Sequence, residues 1–227
     1  MQLSIDTSTR HASVALFKNG QTLIENNWHS KKNHSVELVP NIKKIFDQSG
    51  TKQSSLDCIF VLKGPGSFSA LRVGVSVAKA IALALNIPLI SVNSLDVEFE
   101  PFKYTEKNTW AIIPAGKQKY YVGMFAQCNT TRNKSLVLNV MSHQEVIQTI
   151  PYNINICGEA ALEIHTNPMV KEKQIQLLSP PPPTRKSPSI YNLCNEKLIN
   201  DLVENPLTLQ PIYLKSSQIA NANRNLK

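Results

Sequence analysis

Cysteine is scarce in this chain. Cys58, Cys128, Cys157 and Cys194 lie far apart and form no CxxC pair. That spacing gives neither a zinc knuckle nor a disulfide framework, and it suits a reducing cytoplasm. No run approaches the roughly 18 apolar residues of a membrane span. Hydrophobic alternation starts almost at Met1, which leaves no room for a signal peptide. Basic residues never form a dense block. The net charge of +8 is spread over pairs such as Lys31 and Lys32, Lys43 and Lys44, and Lys117 and Lys119. Such a surface favours an anionic partner, RNA or an acidic protein, and it reads equally as ordinary solvated lysine. No RNA-reading motif with stacked aromatics accompanies it. No HExxH occurs, so a metalloprotease reading has no ligands. His11, His29, His143 and His165 stand isolated, as surface or turn residues.

What the chain has is core material: 42% of its residues are hydrophobic, enough for one large domain or two small ones. Gln2 to Ile5, Ser13 to Phe17 and Thr22 to Trp28 read as an antiparallel meander, with Asn19-Gly20 as a type I′ hairpin signal. The first strand ends in Asp6-Thr7-Ser8-Thr9. A carboxylate followed by three hydroxyls either caps a turn or faces a phosphate and its magnesium. A helix follows over 34–48, with Leu38, Ile42, Ile45 and Phe46 at helical spacing. His34 reads as a ligand, a catalytic base or a polar residue at the helix start.

Leu56 to Leu62 is a buried strand that runs into Gly64-Pro65-Gly66-Ser67 and then a helix over 67–85. The glycines allow a tight turn and close backbone approach, and Ser67 is placed to cap the helix. The exposed N–H groups of such a terminus attract phosphate or carboxylate, although the loop also reads as a plain connection. The helix itself is apolar nearly all round. Leu71, Val75, Ala78 and Ala82 lie on one side, and Gly74, Ala78 and Ala82 permit close helix approach. A helix of this kind needs cover on more than one side, from its own sheet and from a second helix or a second protein.

Asn86-Ile87-Pro88 ends the helix, and Leu89 to Val92 is a strand parallel to the one before it. A domain boundary falls in 93–107, dividing the chain into a first lobe at 1–98 and a smaller one at 99–227 whose closing segment can pack back on the first. The second lobe has shorter strands at Thr109 to Ile113, Tyr120 to Gln127, Ser135 to Val140 and Gln174 to Leu178, and helices at 142–149 and 189–203. Asn155-Ile156-Cys157-Gly158-Glu159-Ala160 repeats the strand–glycine–helix pattern. Ser179-Pro180-Pro181-Pro182-Pro183 is an extended spacer or a proline-reader target, and 221–227 frays.

This order resembles the α/β, actin-like, sugar-kinase-type ATPase (ASKHA) fold, with two mixed-sheet lobes flanked by helices. More narrowly, Leu3-Ser4-Ile5-Asp6-Thr7-Ser8, His34-Ser35, Leu38-Val39-Pro40, the run Gly64-Pro65-Gly66-Ser67-Phe68 to Gly74, Ala78-Lys79-Ala80 and Gln210-Pro211-Ile212-Tyr213-Leu214-Lys215 resemble the TsaB (YeaZ) family. The resemblance implies a cytoplasmic, non-catalytic subunit that pairs with TsaD and, with TsaE, supports threonylcarbamoyl transfer to adenosine 37 of transfer RNA. It implies RNA contact through the complex, a homodimer when the partner is absent, and no membrane. It implies a partner interface on Leu38, Ile42, Ile45, Leu71, Gly74, Val75, Ala78 and Ala82, where Val75→Asp should abolish pairing without unfolding the chain.

The same resemblance implies vestigial phosphate loops at Asp6, Thr7, Ser8, Gly64, Pro65, Gly66 and Ser67. No cofactor is required by the chain, and ATP or ADP is placed at the partner boundary. Two departures bear on activity. The family's Asp-Ala-Arg is replaced by Pro114-Ala115-Gly116. The metal-holding histidines of the catalytic sister fall at Ser94 and Glu98, beside Asp96, where two surface carboxylates are expected in place of a metal centre. The alternative is a small-molecule kinase or ATPase of the same fold.

Overall fold

The computed structural model describes residues 1–31, 33–126, 135–178 and 182–214. The chain forms two compact units. The first comprises Met1–Val97 and Arg185–Ile212, and the second is built on Glu98–Thr184. Part of the second half of the sequence therefore belongs to the first unit, including a whole helix that the sequence reading gave to the smaller lobe.

In the first unit, β1 (Gln2–Asp6), β2 (His11–Lys18) and β3 (Gln21–His29) form the antiparallel meander. Asn19 (φ 52) and Gly20 (φ 81) supply the left-handed pair that a two-residue hairpin needs. After α1 (His34–Ser49), β4 (Cys58–Leu62) joins β1 in parallel, and after α2 (Phe68–Leu85), β5 (Leu89–Val92) joins β4 in parallel. The sheet order is β3-β2-β1-β4-β5. α3 (Ser94–Phe99) follows β5 directly.

Strand alternation divides this sheet into two buried faces. Leu3, Ile5, Val14, Leu16, Ile59 and Val61 meet α1 and α2 on one face. Ala15, Phe17, Phe60, Leu62 and Ile90 meet Ile190, Leu193 and Cys194 of α7 (Ser187–Ile199) on the other.

α2 corrects an expectation. It is 18 residues long with a mean hydropathy of 1.7, so among the described residues there is one helix long and apolar enough to cross a membrane. Its Val75, Ala78 and Ala82 lie in the first unit's core, as a core helix requires.

The second unit repeats the topology in miniature. β6 (Thr109–Pro114), β7 (Lys119–Phe125) and β8 (Ser135–Ser142) are an antiparallel meander. α4 (His143–Thr149) follows, then β9 (Asn155–Cys157) parallel to β6. α5 (Ala161–His165) and α6 (Pro168–Lys171) lead to β10 (Gln176–Leu177), parallel to β9. The order β10-β9-β6-β7-β8 mirrors the first sheet element for element. Ser142 caps α4 through a full capping box with Glu145. The expected features at Cys128, at 179–181 of the proline run and at 221–227 lie outside the described residues.

Candidate functional site

β1 and β4 are neighbouring parallel strands, and their carboxyl ends carry the two loops singled out in the sequence. In open α/β sheets this edge is where ligands bind. Asp6, Thr7, Ser8, Gly64, Pro65 and Gly66 are brought together there and all are buried, whereas Ser67 is exposed. A Cβ on Gly66 would run into the Ser8 carbonyl, and one on Gly74 would run into the Thr7 hydroxyl. Close packing of loop on loop and helix on loop is thus what these two glycines permit. Ser67 occupies the helix-start position but makes no side-chain cap; its backbone N–H donates instead to the Ser8 carbonyl at 2.7 Å.

The polar groups of the first loop turn inward. Thr7 Oγ1 donates to the Ala70 carbonyl at 2.7 Å. Asp6 Oδ1 accepts from the Ser8 N–H at 2.8 Å and from the Ser8 hydroxyl at 2.6 Å. Asp6 Oδ2 accepts from Arg185 Nε at 2.7 Å. Arg185 is itself only 3% exposed, and it donates further to Thr9 Oγ1 at 2.7 Å and to the His11 carbonyl at 3.2 Å. A buried carboxylate has thereby acquired a buried guanidinium, with the geometry that desolvated charge demands.

This arrangement can be tested against the metal-bound nucleotide that the fold suggests. Magnesium needs carboxylate or hydroxyl oxygens turned towards it. Here Asp6 is neutralised by Arg185, and Thr7, Ser8 and Thr9 spend their hydroxyls on the protein. Pro114-Ala115-Gly116, at the corresponding turn of the second unit, brings no carboxylate. Among the described residues no group of three or more His, Cys, Asp or Glu could hold a metal. These residues do not fit a metal-bound nucleotide.

Arg185 was missed in the sequence. A lone arginine after a proline run carries no periodic signal, and its partner lies at the opposite end of the chain. His34 is a structural post. Its Nε2 lies 3.0 Å from the Thr9 carbonyl and its Nδ1 3.3 Å from the Ser30 hydroxyl, so the ring ties the start of α1 to the first loop. Glu98 is not a surface carboxylate: it is 2% exposed and accepts from Thr184 Oγ1 at 2.7 Å. Ser94 is fully buried as well, and Asp96 is half-buried.

The residues expected at a partner interface are core instead. Leu38, Ile42, Ile45, Leu71, Gly74, Val75, Ala78 and Ala82 are all buried within the first unit. Leu38, Ile42, Ile45, Val75, Ala78 and Ala82 share one core cluster with the sheet, while Leu71 and Gly74 pack against Gly64 and Thr7, so a charge at Val75 would strike the fold itself. The apolar excess of α2 nonetheless reaches the surface on its other side. Phe68 is 52% exposed and Leu83 51%, with Ser76, Ala80 and Ala84 also exposed and Val73 and Val77 half-buried. α1 adds Val36 at 63% and Val39 at 55%. Arg72 supplies charge on this face, with its guanidinium stacked 3.9 Å over the Phe68 ring. Exposed apolar and small residues thus lie along this side of α2 and at the start of α1, beside Arg72.

A two-lobed chain with this duplicated topology has the architecture of the actin-like ATPase fold. Residues 24–180, more than half of the chain, match the family model described as TsaD, tRNA N6-adenosine threonylcarbamoyltransferase, and the chain belongs to that family. Within it the similarity runs to TsaB. It is 34% identical over 137 residues to the tRNA threonylcarbamoyladenosine biosynthesis protein TsaB of Buchnera aphidicola subsp. Acyrthosiphon pisum, covering 60% of this chain and 59% of that protein. It is 32% identical over 127 residues to TsaB of Bacillus subtilis, covering 56% of each. The matches thus span little more than half the length of these curated relatives. A Pseudomonas aeruginosa protein described as similar to the peptidase YeaZ shares the fold, with a TM-score of 0.75 and 21% identity over 94% of this chain and 99% of its own.

Proposed function

We propose that this chain is a non-catalytic subunit that activates threonylcarbamoyl transfer to adenosine 37 of transfer RNA by docking on TsaD, with TsaE as a further partner. The names of the relatives supply the pathway. The observation that carries the role is the exposed face of α1 and α2, which leaves Val36, Val39, Phe68 and Leu83 in water. Removing such a surface from water is favourable by about 25 cal/mol per Å², and a stable complex buries about 1,600 Å² in all.

The absence of a catalytic role is argued from Asp6, whose charge is matched by Arg185 inside the fold. In this reading the chain needs no cofactor, ATP or ADP sits at the partner boundary, transfer RNA is met through the complex, and the compartment is the cytoplasm. When the partner is missing, the same face pairs two copies of the chain. The kinase or ATPase alternative has no specific support at Asp6. The test is reconstitution: TsaD and TsaE supplied with the threonylcarbamoyl donor and transfer RNA should form the modified nucleoside only when this chain is added. Equal product without it, or product from the chain alone, would contradict the proposal.

A further inference from the structure

Tyr104 and Tyr152 are far apart in the sequence, and the second unit brings their loops together. β6 and β9 are parallel neighbours, so their amino ends, at Thr109 and Asn155, share one edge of the second sheet. Three hydrogen bonds tie the loops that lead into them. The Asn155 N–H donates to the Asn108 carbonyl at 2.9 Å, Asn155 Nδ2 to Thr105 Oγ1 at 2.6 Å, and Lys107 Nζ to Asn153 Oδ1 at 2.8 Å. On these loops Tyr104 is 88% exposed and Tyr152 70%. We propose that this edge is a contact surface for RNA with unpaired bases, the tyrosines serving as stacking platforms and the lysines beside them drawing the phosphates.

Each ring is backed by an ammonium. Lys103 Nζ lies 5.2 Å from the Tyr104 ring centre and Lys173 Nζ 5.6 Å from that of Tyr152, both within the reach of about 6 Å over which a cation is drawn to a ring face. The Tyr152 loop is held further by the Asn153 N–H, which donates to the Lys173 carbonyl at 2.9 Å. A ring supported on one side and open to water offers its other face to a base, and every base has a face that stacks.

The charge around the rings favours a polyanion. Lys173 is only 8% exposed, and its Nζ donates to the carbonyls of Ile147, Gln148 and Ile150 at 2.9, 3.3 and 2.8 Å. Its charge, like that of Lys107, is held by neutral oxygens and still acts on an anion outside. Lys103 is paired with Glu100 at 2.7 Å, so it fixes the Tyr104 ring without adding net charge. Glu106, exposed on the same loop, opposes the attraction. A protein-docking core would set its aromatics among other apolar side chains. Here the exposed neighbours are Pro101, Asn108, Pro151 and Asn153, and the chain carries +8 overall, which suits planar bases on a charged backbone. This surface belongs to the second unit alone, so it stands or falls separately from the docking face of α1 and α2.

The test is fluorescence anisotropy of a labelled oligouridylate of about twelve nucleotides titrated with the full chain, beside an RNA duplex of the same length. The expected result is saturable binding that weakens as salt rises and is tighter for the single strand. Tyr104→Ala and Tyr152→Ala should each bind at least about fivefold more weakly, whereas Tyr104→Phe, which keeps the ring, should bind as the wild type does. Lys107→Gln should lower the salt slope by about 0.7, and Glu106→Gln should tighten binding. Tyr104→Ala should melt as the wild type does, so it tests the platform even if loss of Tyr152 disturbs Lys173. Wild-type affinity in a folded Tyr104→Ala would overturn the proposal, as would equal affinity for the duplex. Absence of saturable binding to the wild type would overturn it too and leave the two rings as a contact for protein.

Discussion

Removing Arg185 leaves a carboxylate in the core with no cation beside it. Breaking a buried pair from one side costs about 3–5 kcal/mol, so Arg185→Met should lower unfolding stability by about that much in urea titrations. Arg185→Lys should restore only part of the loss, because one ammonium cannot bond Asp6, Thr9 and the His11 carbonyl with a planar fork. A loss below about 1 kcal/mol would show that the pair is not the anchor described here. Glu204 gives a pH signature. Burial pushes its carboxyl up, but bonds from the Ser91 hydroxyl and the Lys63 ammonium, with the charges of Lys63 and Lys197, outweigh burial and hold it below the ordinary 4.5. A folded value below the unfolded one contributes stability above the unfolded value, and that contribution is lost as pH falls through the folded value. The wild type should therefore lose stability below about pH 4.5 more steeply than Glu204→Gln, as read from urea midpoints across that range. Equal slopes would contradict the assignment. Neither residue was legible in the sequence: each works through a partner far away in the chain, and only the folded sheet puts them together.

At the level of elements the sequence was far more readable. α1 and α2 follow from apolar spacing, β1 to β5 from short hydrophobic runs, and the Asn19-Gly20 hairpin from its turn residues. The side of α2 that faces inward was not readable, because a helix apolar all round shows little contrast between its faces. The buried stripe therefore reads in the sequence as a partner surface. Val75 is 3% exposed and belongs to the core, so Val75→Asp should abolish folding, seen as loss of the cooperative melting transition. Phe68→Asp and Leu83→Asp, on the exposed side, should leave the melting temperature close to that of the wild type. Unfolding by either exposed substitution would mean that this face is not a surface.

At the scale of the whole molecule, the chain is one plan used twice, a meander followed by two parallel strands with helices between them. The first copy was legible because its elements are long. The second was less so, since β9 has 3 residues and β10 has 2, too few for any periodicity to register. The proposed partner role rests on the first copy, where Val36, Val39, Phe68 and Leu83 stay in water. The most direct test of that role is the affinity of the purified chain for TsaD, measured by calorimetry for the wild type and for the Phe68→Asp, Leu83→Asp double variant. A stable one-to-one complex is expected with the wild type, and loss of binding in a variant that still melts cooperatively. Undiminished binding by the folded double variant would contradict it.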